Sequence, residues 1–145
     1  MCAALFLLAL SSAMILVGGS NIPKWCNMEN GVEKVIWTYT SMWNEEALLP
    51  FYILHYSSIA RKLIIYDTGS TDSTVFLAQL CPKVELRTMD TGGSYDDFLK
   101  TNLSNSCWKE ARGHADFVIW SDVDEFISLE EPTMHWNMFF AKQEE

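Results

Sequence analysis

Four short runs rich in β-branched and aromatic residues recur along the chain, at 32–42 (VEKVIWTYTSM), 61–69 (RKLIIYDTG), 83–90 (KVELRTMD) and 116–121 (DFVIWS). Each has the composition of a strand. Between them stand three segments with helix signals. In 44–60, Asn44 is placed as an N-cap and Glu45 and Glu46 fall in a first turn, where the helix dipole favours anions. Pro50 in that segment either kinks the helix or marks a later start. Segment 70–81 stops at Pro82, and segment 94–115 opens on a Ser94 to Asp97 capping pattern and closes near Gly113. Such an alternation leaves few topologies. It predicts an α/β fold of Rossmann-like type, a largely parallel sheet with right-handed crossovers and helices on both faces. The last run, short and apolar on both faces, is expected to be central in that sheet.

A parallel sheet of this kind takes its ligand outside the carboxyl ends of the strands. Polar clusters follow three of the four runs: WNEE at 43–46, DTGSTDS at 67–73 and SDVDE at 121–125. The topology brings all three to one crevice. Asp122 and Asp124 are two apart, so in extended chain both point to the same side. Two carboxylates held that close call for a cation, and a hard ion such as Mg²⁺ or Mn²⁺ takes one or two carboxylates plus substrate phosphates. A solvated turn is the plain alternative. Asp67 ends a strand, where a carboxylate can accept from a base N–H, while Gly69, Ser70, Thr71 and Asp72 suit an ordinary turn into a helix. Neither GxGxxG nor GK[ST] occurs, which sets aside the dinucleotide and P-loop fingerprints.

With 145 residues, 49% of them hydrophobic, the chain can bury one core. A net charge of -9 argues against a nucleic-acid binder, which needs clustered Lys and Arg. A phosphorylated ligand is still accessible through a bridging divalent cation. Cys2, Cys26, Cys81 and Cys107 show no paired spacing, so they indicate neither a zinc site nor a disulfide framework and leave room for one bridge. Residues 2–17 are nearly all apolar and as a helix would span roughly 24 Å. They read as a signal peptide or membrane anchor, although the flanking Lys or Arg of a signal peptide is missing; a buried helix or a misplaced start is the alternative. The expected organisation is a leader at 1–20, a linker at 21–32 and a domain at 33–145. The leader implies the secretory pathway or a membrane-associated protein, and a cytoplasmic one if it is not a targeting segment.

The segments WNEEALLPFYILHY, IIYDTGSTDST and NSCWKEARGHADFVIWSDVDEF, in this order and spacing, resemble the N-terminal half of a GT-A-fold glycosyltransferase of the family-2-like type. The likeness covers residues 33–128. It implies a nucleotide-sugar donor, a UDP-sugar by preference, with Mn²⁺ or Mg²⁺ bridging its diphosphate to a DxD motif matched by Asp122 and Asp124. Asp67 matches the aspartate that reads the nucleobase, and Glu45 the acid near the nucleoside. Asn105 lies on the helix that often supplies a polar contact to the donor. Helix surface polarity is the competing explanation for Asn105 and Asn102, and capping the competing one for Asp96 and Asp97. Trp108 reads as core, and His55, His114 and His135 as structural.

The resemblance implies transfer of a glycosyl group to an acceptor hydroxyl on a glycan, protein or lipid, with the metal as Lewis acid on the departing diphosphate. An inverting reaction also needs a carboxylate base. The pattern places that base beyond residue 145, and nothing marks Glu125, Glu130 or Glu131 for the task. The domain is therefore expected to be incomplete at its C-terminus, with an exposed sheet edge. Binding of a nucleotide-sugar without transfer is the alternative. A nucleotidyltransferase fits less well, since TYTSMWNEE is neither Gly-rich nor basic.

Overall fold

The structure, a computed structural model, describes residues 14–17, 20–29, 31–92, 97–129 and 135–141. In chain order it begins with strands β1 (Met14–Val17) and β2 (Ser20–Pro23), then β3 (Ile36–Met42), helix α1 (Leu49–Ser57) and β4 (Lys62–Asp67). Helix α2 (Thr74–Gln79), β5 (Val84–Thr88) and α3 (Asp97–Ser104) follow. A 3-10 turn (Cys107–Ala111), β6 (Phe117–Trp120) and α4 (Trp136–Ala141) complete it.

β3 to β6 form one parallel sheet in the order β5-β4-β3-β6. Tyr39 stands opposite Ile64 on one side and Trp120 on the other. β3 and β4 lie inside the sheet and are buried on both faces, which is why both are rich in β-branched, aromatic and aliphatic residues, Thr38 and Thr40 included. Their side chains alternate between two cores. Ile36, Met42, Leu63 and Ile65 face α1, α2 and α4, whereas Tyr39 and Ile64 face Cys107 and Leu103. Helix α1 buries Leu49, Tyr52, Ile53 and Tyr56, one helical stripe, against the first of these faces. The strand order runs outward from β3 through β4 to β5 and then reverses to β6, so a topological switch point lies between β3 and β6.

The amino-terminal segment is stitched to this sheet. β1 and β2 pair antiparallel, and Trp25, Cys26 and Val32 pack into the main core. A disulfide joins Cys26 to Cys81, just past α2. Met14–Val17, the described end of the apolar run, is extended rather than helical; the rest of that run lies outside the described residues. No helix among the described residues is long and apolar enough to cross a membrane. At the other end, α4 packs Phe140 on Phe117 at 4.5 Å, and Asn137 bonds both the Gly31 carbonyl and the Glu33 N–H.

Four expectations change. Helix α1 begins at Leu49, four residues later than the Asn44 cap implied, because Pro50 suits only the first turn and Asn44 takes a left-handed φ of 55°. The segment expected as one helix over 94–115 breaks after Ser104. There the hydroxyls of Ser104 and Ser106 bond back to carbonyls of Thr101 and Asn102, competing with the helical ladder. Residues 94–96, with Asp96, lie outside the described residues, as do Glu130 and Glu131. β6 is an edge strand among the described residues, not a central one, and Val118 is 36% exposed. Its apolar residues serve the two faces, Phe117 and Ile119 on one and Trp120 on the other, and cover on both faces requires no neighbour on both edges. Trp108 is not in the core. It lies at the surface beneath the Arg112 guanidinium, with its indole N–H donating to the Asn105 carbonyl.

Candidate functional site

The carboxyl ends of all four parallel strands enclose a cavity of about 240 Å³. Trp43 and Glu45 come from the loop after β3, Thr68 from that after β4, and Met89 and Thr91 from that after β5. Asp122, Val123 and Asp124 follow β6, and Lys100 reaches in from α3. Met89 and Thr91 belong to the one strand end that carries no polar motif.

Asp122 to Glu125 do not continue β6 in extended form, as the same-side argument assumed. They make a turn closed by the Glu125 N–H on the Asp122 carbonyl at 3.1 Å. The Glu125 carboxylate accepts the Asp122 N–H at 3.2 Å, so this acid serves the turn itself. Val123, between the aspartates, is buried in the main core and anchors the turn, while its two neighbours line the cavity. Helix α1 holds the segment from behind: the Tyr56 hydroxyl donates to the Glu125 carbonyl at 2.9 Å, and His55 Nε2 lies 2.9 Å from the Ile127 carbonyl. Just ahead of the turn, the hydroxyls of Ser121, Thr38 and Tyr52 are buried without a well-formed hydrogen bond. Burial raises the pKa of the Tyr52 phenol in spite of the neighbouring Thr38, Ser121 and Thr40 hydroxyls.

The loops after β3 and β4 are laced together. The Asn44 N–H donates to Ser70 Oγ at 2.9 Å and the Glu45 N–H to Thr74 Oγ1 at 2.8 Å. The Glu46 N–H donates to an Asp72 carboxylate oxygen at 3.1 Å, and the Glu46 carboxylate accepts the Ser73 N–H at 2.9 Å. Asp72 also accepts the Thr74 N–H at 2.9 Å. Burial alone would raise the Asp72 carboxyl, but the Thr74 and Glu46 donors outweigh it and hold it low. Most of NEE and GSTDST is thus occupied in fixing the floor of the crevice. The Glu45 side chain is the exception. It lines the cavity, and burial first, then the charges of Asp124 and Asp72, raise its pKa.

Glu45, Asp122 and Asp124 are therefore brought together. Asp67 is placed differently: it is buried, and its two oxygens accept the N–H groups of Gly69 and Ser70 at 3.1–3.3 Å, while Thr68 is the neighbour that lines the cavity. Asn105 lies past the end of α3 and does not line the cavity. One helical turn earlier stands a residue that the sequence reading passed over. Lys100 Nζ is 2.7 Å from one Asp122 oxygen and 2.8 Å from the other. Lys100 is the one Lys or Arg between Arg87 and Lys109, and that isolation was the available signal.

Among the described residues no three carboxylates, imidazoles or thiols gather into a cage for a metal ion. The donors that line the cavity are hard carboxylate oxygens, Asp122 and Asp124 with Glu45 beside Asp124. They suit a divalent cation that completes its shell with water and ligand oxygens. A larger cleft, about 820 Å³, opens at the amino ends of the strands. Two of the cations that line it serve the fold: Lys62 pairs with Glu85, and Lys83 donates to the Ser57 and Ala60 carbonyls at the end of α1. No family model, curated protein or solved structure matches this chain.

Proposed function

We propose that this chain is a donor-binding domain of GT-A type, taking a nucleotide-sugar at the β3/β6 switch point for glycosyl transfer to an acceptor hydroxyl. The observation that carries the reading is the meeting of Glu45, Asp122, Asp124 and Lys100 in one cavity at the strand ends. Acids with a single ammonium suit a diphosphate escorted by a divalent cation, and the motifs around them have the order seen in the sequence likeness. Asp122 and Asp124 would hold Mn²⁺ or Mg²⁺, which when bound supplies Lewis-acid charge for a departing diphosphate. Glu45 borders the ligand, and Trp43, 61% exposed at the rim, offers an aromatic face to a base or sugar ring. Asp67 holds the loop after β4 in place; any role with a uracil-like or guanine-like N–H is secondary to that. A UDP-sugar remains the favoured donor and a glycan, protein or lipid the acceptor. The Cys26–Cys81 disulfide supports a place in the secretory pathway, where such bonds persist.

Binding without transfer is a second reading, favoured by one observation. Among the described residues, the acids lining the cavity are Glu45, Asp122 and Asp124, and none stands apart to take an acceptor's proton. Calorimetric titration of the full chain with UDP and GDP, with and without Mn²⁺, tests the shared core of both readings. Cation-dependent binding that disappears in Asp122→Ala/Asp124→Ala supports them. A folded protein that binds neither nucleotide sinks them. Donor hydrolysis or transfer then separates an enzyme from a binder.

A further inference from the structure

We propose that the cleft at the amino ends of the strands is a second ligand site, which holds a phosphate group between the Arg61 guanidinium and the Lys83 ammonium. This site is independent of the donor cavity, from which β4, six residues long, separates it by roughly 20 Å. Leu63 stands opposite Val84 in the sheet, so Arg61 and Lys83 leave adjoining strand ends side by side, and both line the cleft. Their backbones are fixed. The Arg61 N–H donates to the Ile36 carbonyl at 2.8 Å, and the Lys83 carbonyl accepts the Leu63 N–H at 2.9 Å. The disulfide from Cys26 to Cys81 pins the chain just ahead of Lys83.

What these two side chains lack is a counter-ion. The Lys83 ammonium donates to neutral carbonyls alone, those of Ser57 and Ala60. Among the described residues the Arg61 guanidinium makes no hydrogen bond and no ion pair. Glu85, on the cleft wall, is taken by Lys62 and Arg87, and Glu33 pairs with neither Arg61 nor Lys83. Burial first, then the Arg61 charge, lowers the pKa of the Lys83 ammonium, so the two cations bear on each other with nothing negative between them. An anion placed there relieves that repulsion. The surroundings favour it. Four of the chain's ten Lys and Arg line the cleft against two of its nineteen acids, on a chain of net charge -9. A guanidinium fork takes two oxygens of a phosphate and leaves a third for the ammonium, which a carboxylate does not have. A volume of about 820 Å³ leaves room for the molecule or headgroup that carries the phosphate.

The test follows backbone amide shifts of the full chain by NMR, at constant ionic strength and with EDTA, so that no divalent cation draws phosphate to the acids of the donor cavity. Inorganic phosphate and glycerol 3-phosphate should move the amides of Lys83 and Val84 and leave those of Asp122 and Asp124 in place. Arg61→Gln, at an exposed side chain that holds nothing in the fold, should weaken that binding about fivefold or more, the loss of a charge-assisted contact. Arg61→Lys should restore part of it, and Lys109→Gln, the same charge change on another surface, should leave it unaltered. Phosphatidylcholine vesicles carrying phosphatidic acid present the same phosphate on a lipid. Retention by them beyond pure phosphatidylcholine, lost in Arg61→Gln, identifies a lipid headgroup as the source. Binding of glycerol 3-phosphate without that retention identifies a free phosphorylated molecule. A response equal in the parent and Arg61→Gln, or no response in any arm, overturns the proposal and leaves Arg61 a solvated charge.

Discussion

The side-chain carbonyl of Asn44 accepts the backbone N–H of Thr71 at 2.7 Å. It also lies 3.3 Å from the Asp72 N–H, and Asn44 itself holds a φ of 55°. Asparagine is among the few residues with a side chain that visit this region readily. One residue thus fixes the reversal after β3 and the loop after β4 together. Asn44→Ala should cost about 2–3 kcal/mol in urea unfolding, the sum of lost hydrogen bonds and left-handed strain. Asn44→Gly keeps the backbone relaxed and should cost about 1 kcal/mol. Equal losses in the two would mean that the backbone conformation contributes nothing.

Tyr56 carries the turn that presents Asp122 and Asp124. Its buried hydroxyl donates to the Glu125 carbonyl, and the Ile127 N–H donates to the Tyr56 hydroxyl oxygen at 3.3 Å. Tyr56→Phe leaves those groups without this partner and should destabilise the protein by about 1–2 kcal/mol. Amide exchange at Ile127 should accelerate while exchange within β4 keeps its rate. Unchanged protection at Ile127 would show that the turn stands without α1.

The Cys26–Cys81 bridge closes a sequence separation of 55 residues. The loop-entropy description assigns such a closure roughly 4 kcal/mol, and measured values commonly fall between about 2 and 4 kcal/mol. Cys26→Ser/Cys81→Ser should lower the denaturation midpoint accordingly. The parent should fall to the same midpoint under reductant, and the variant should not respond. A parent indifferent to reductant would mean that the bond does not form in solution.

On the outer face of the sheet, Arg87 donates to Glu110 at 2.7 Å and to Tyr66 at 2.8 Å, and it also pairs with Glu85. The Arg87 contact holds the Glu110 carboxyl low, and Lys62 followed by Arg87 does the same for Glu85. An acid whose pKa is depressed in the folded state adds stability above its ordinary value, here 4.5, and loses it as pH falls through the folded value. Both glutamates are more than a third exposed, so the gain is below about 1 kcal/mol. The melting temperature of the parent should decline on acidification below about pH 4.5. Arg87→Met should flatten that limb, and parallel curves for the two proteins would rule the network out as its cause.

What the sequence determined by itself was the framework. β3 and β4 are legible because strands buried on both faces concentrate β-branched, aromatic and aliphatic side chains within a few adjacent residues, with Thr38 and Thr40 as the buried polar members of β3. The acids at the strand ends are legible for the same local reason, since SDVDE interrupts a run that is otherwise core, and their convergence follows from parallel winding. Pro50 marked the late start of α1 as one of two outcomes. The tertiary structure decided which atoms each polar group meets. Asn44 looked like a helix cap and is a clamp on a loop 27 residues away. Asp67 looked free to meet a ligand and is held by its own turn. The helix break at Ser104 to Ser106 and the edge position of β6 follow from hydrogen bonding and packing that no window of sequence contains. Lys100 shows the limit most clearly. Its partner Asp122 is 22 residues away, and an ammonium on an exposed helix face reads as solvated until the sheet brings a carboxylate within 3 Å of it. Periodicity and propensity act over neighbours in the chain, whereas hydrogen bonds and ion pairs act over neighbours in space, and only the packed sheet makes those neighbours known.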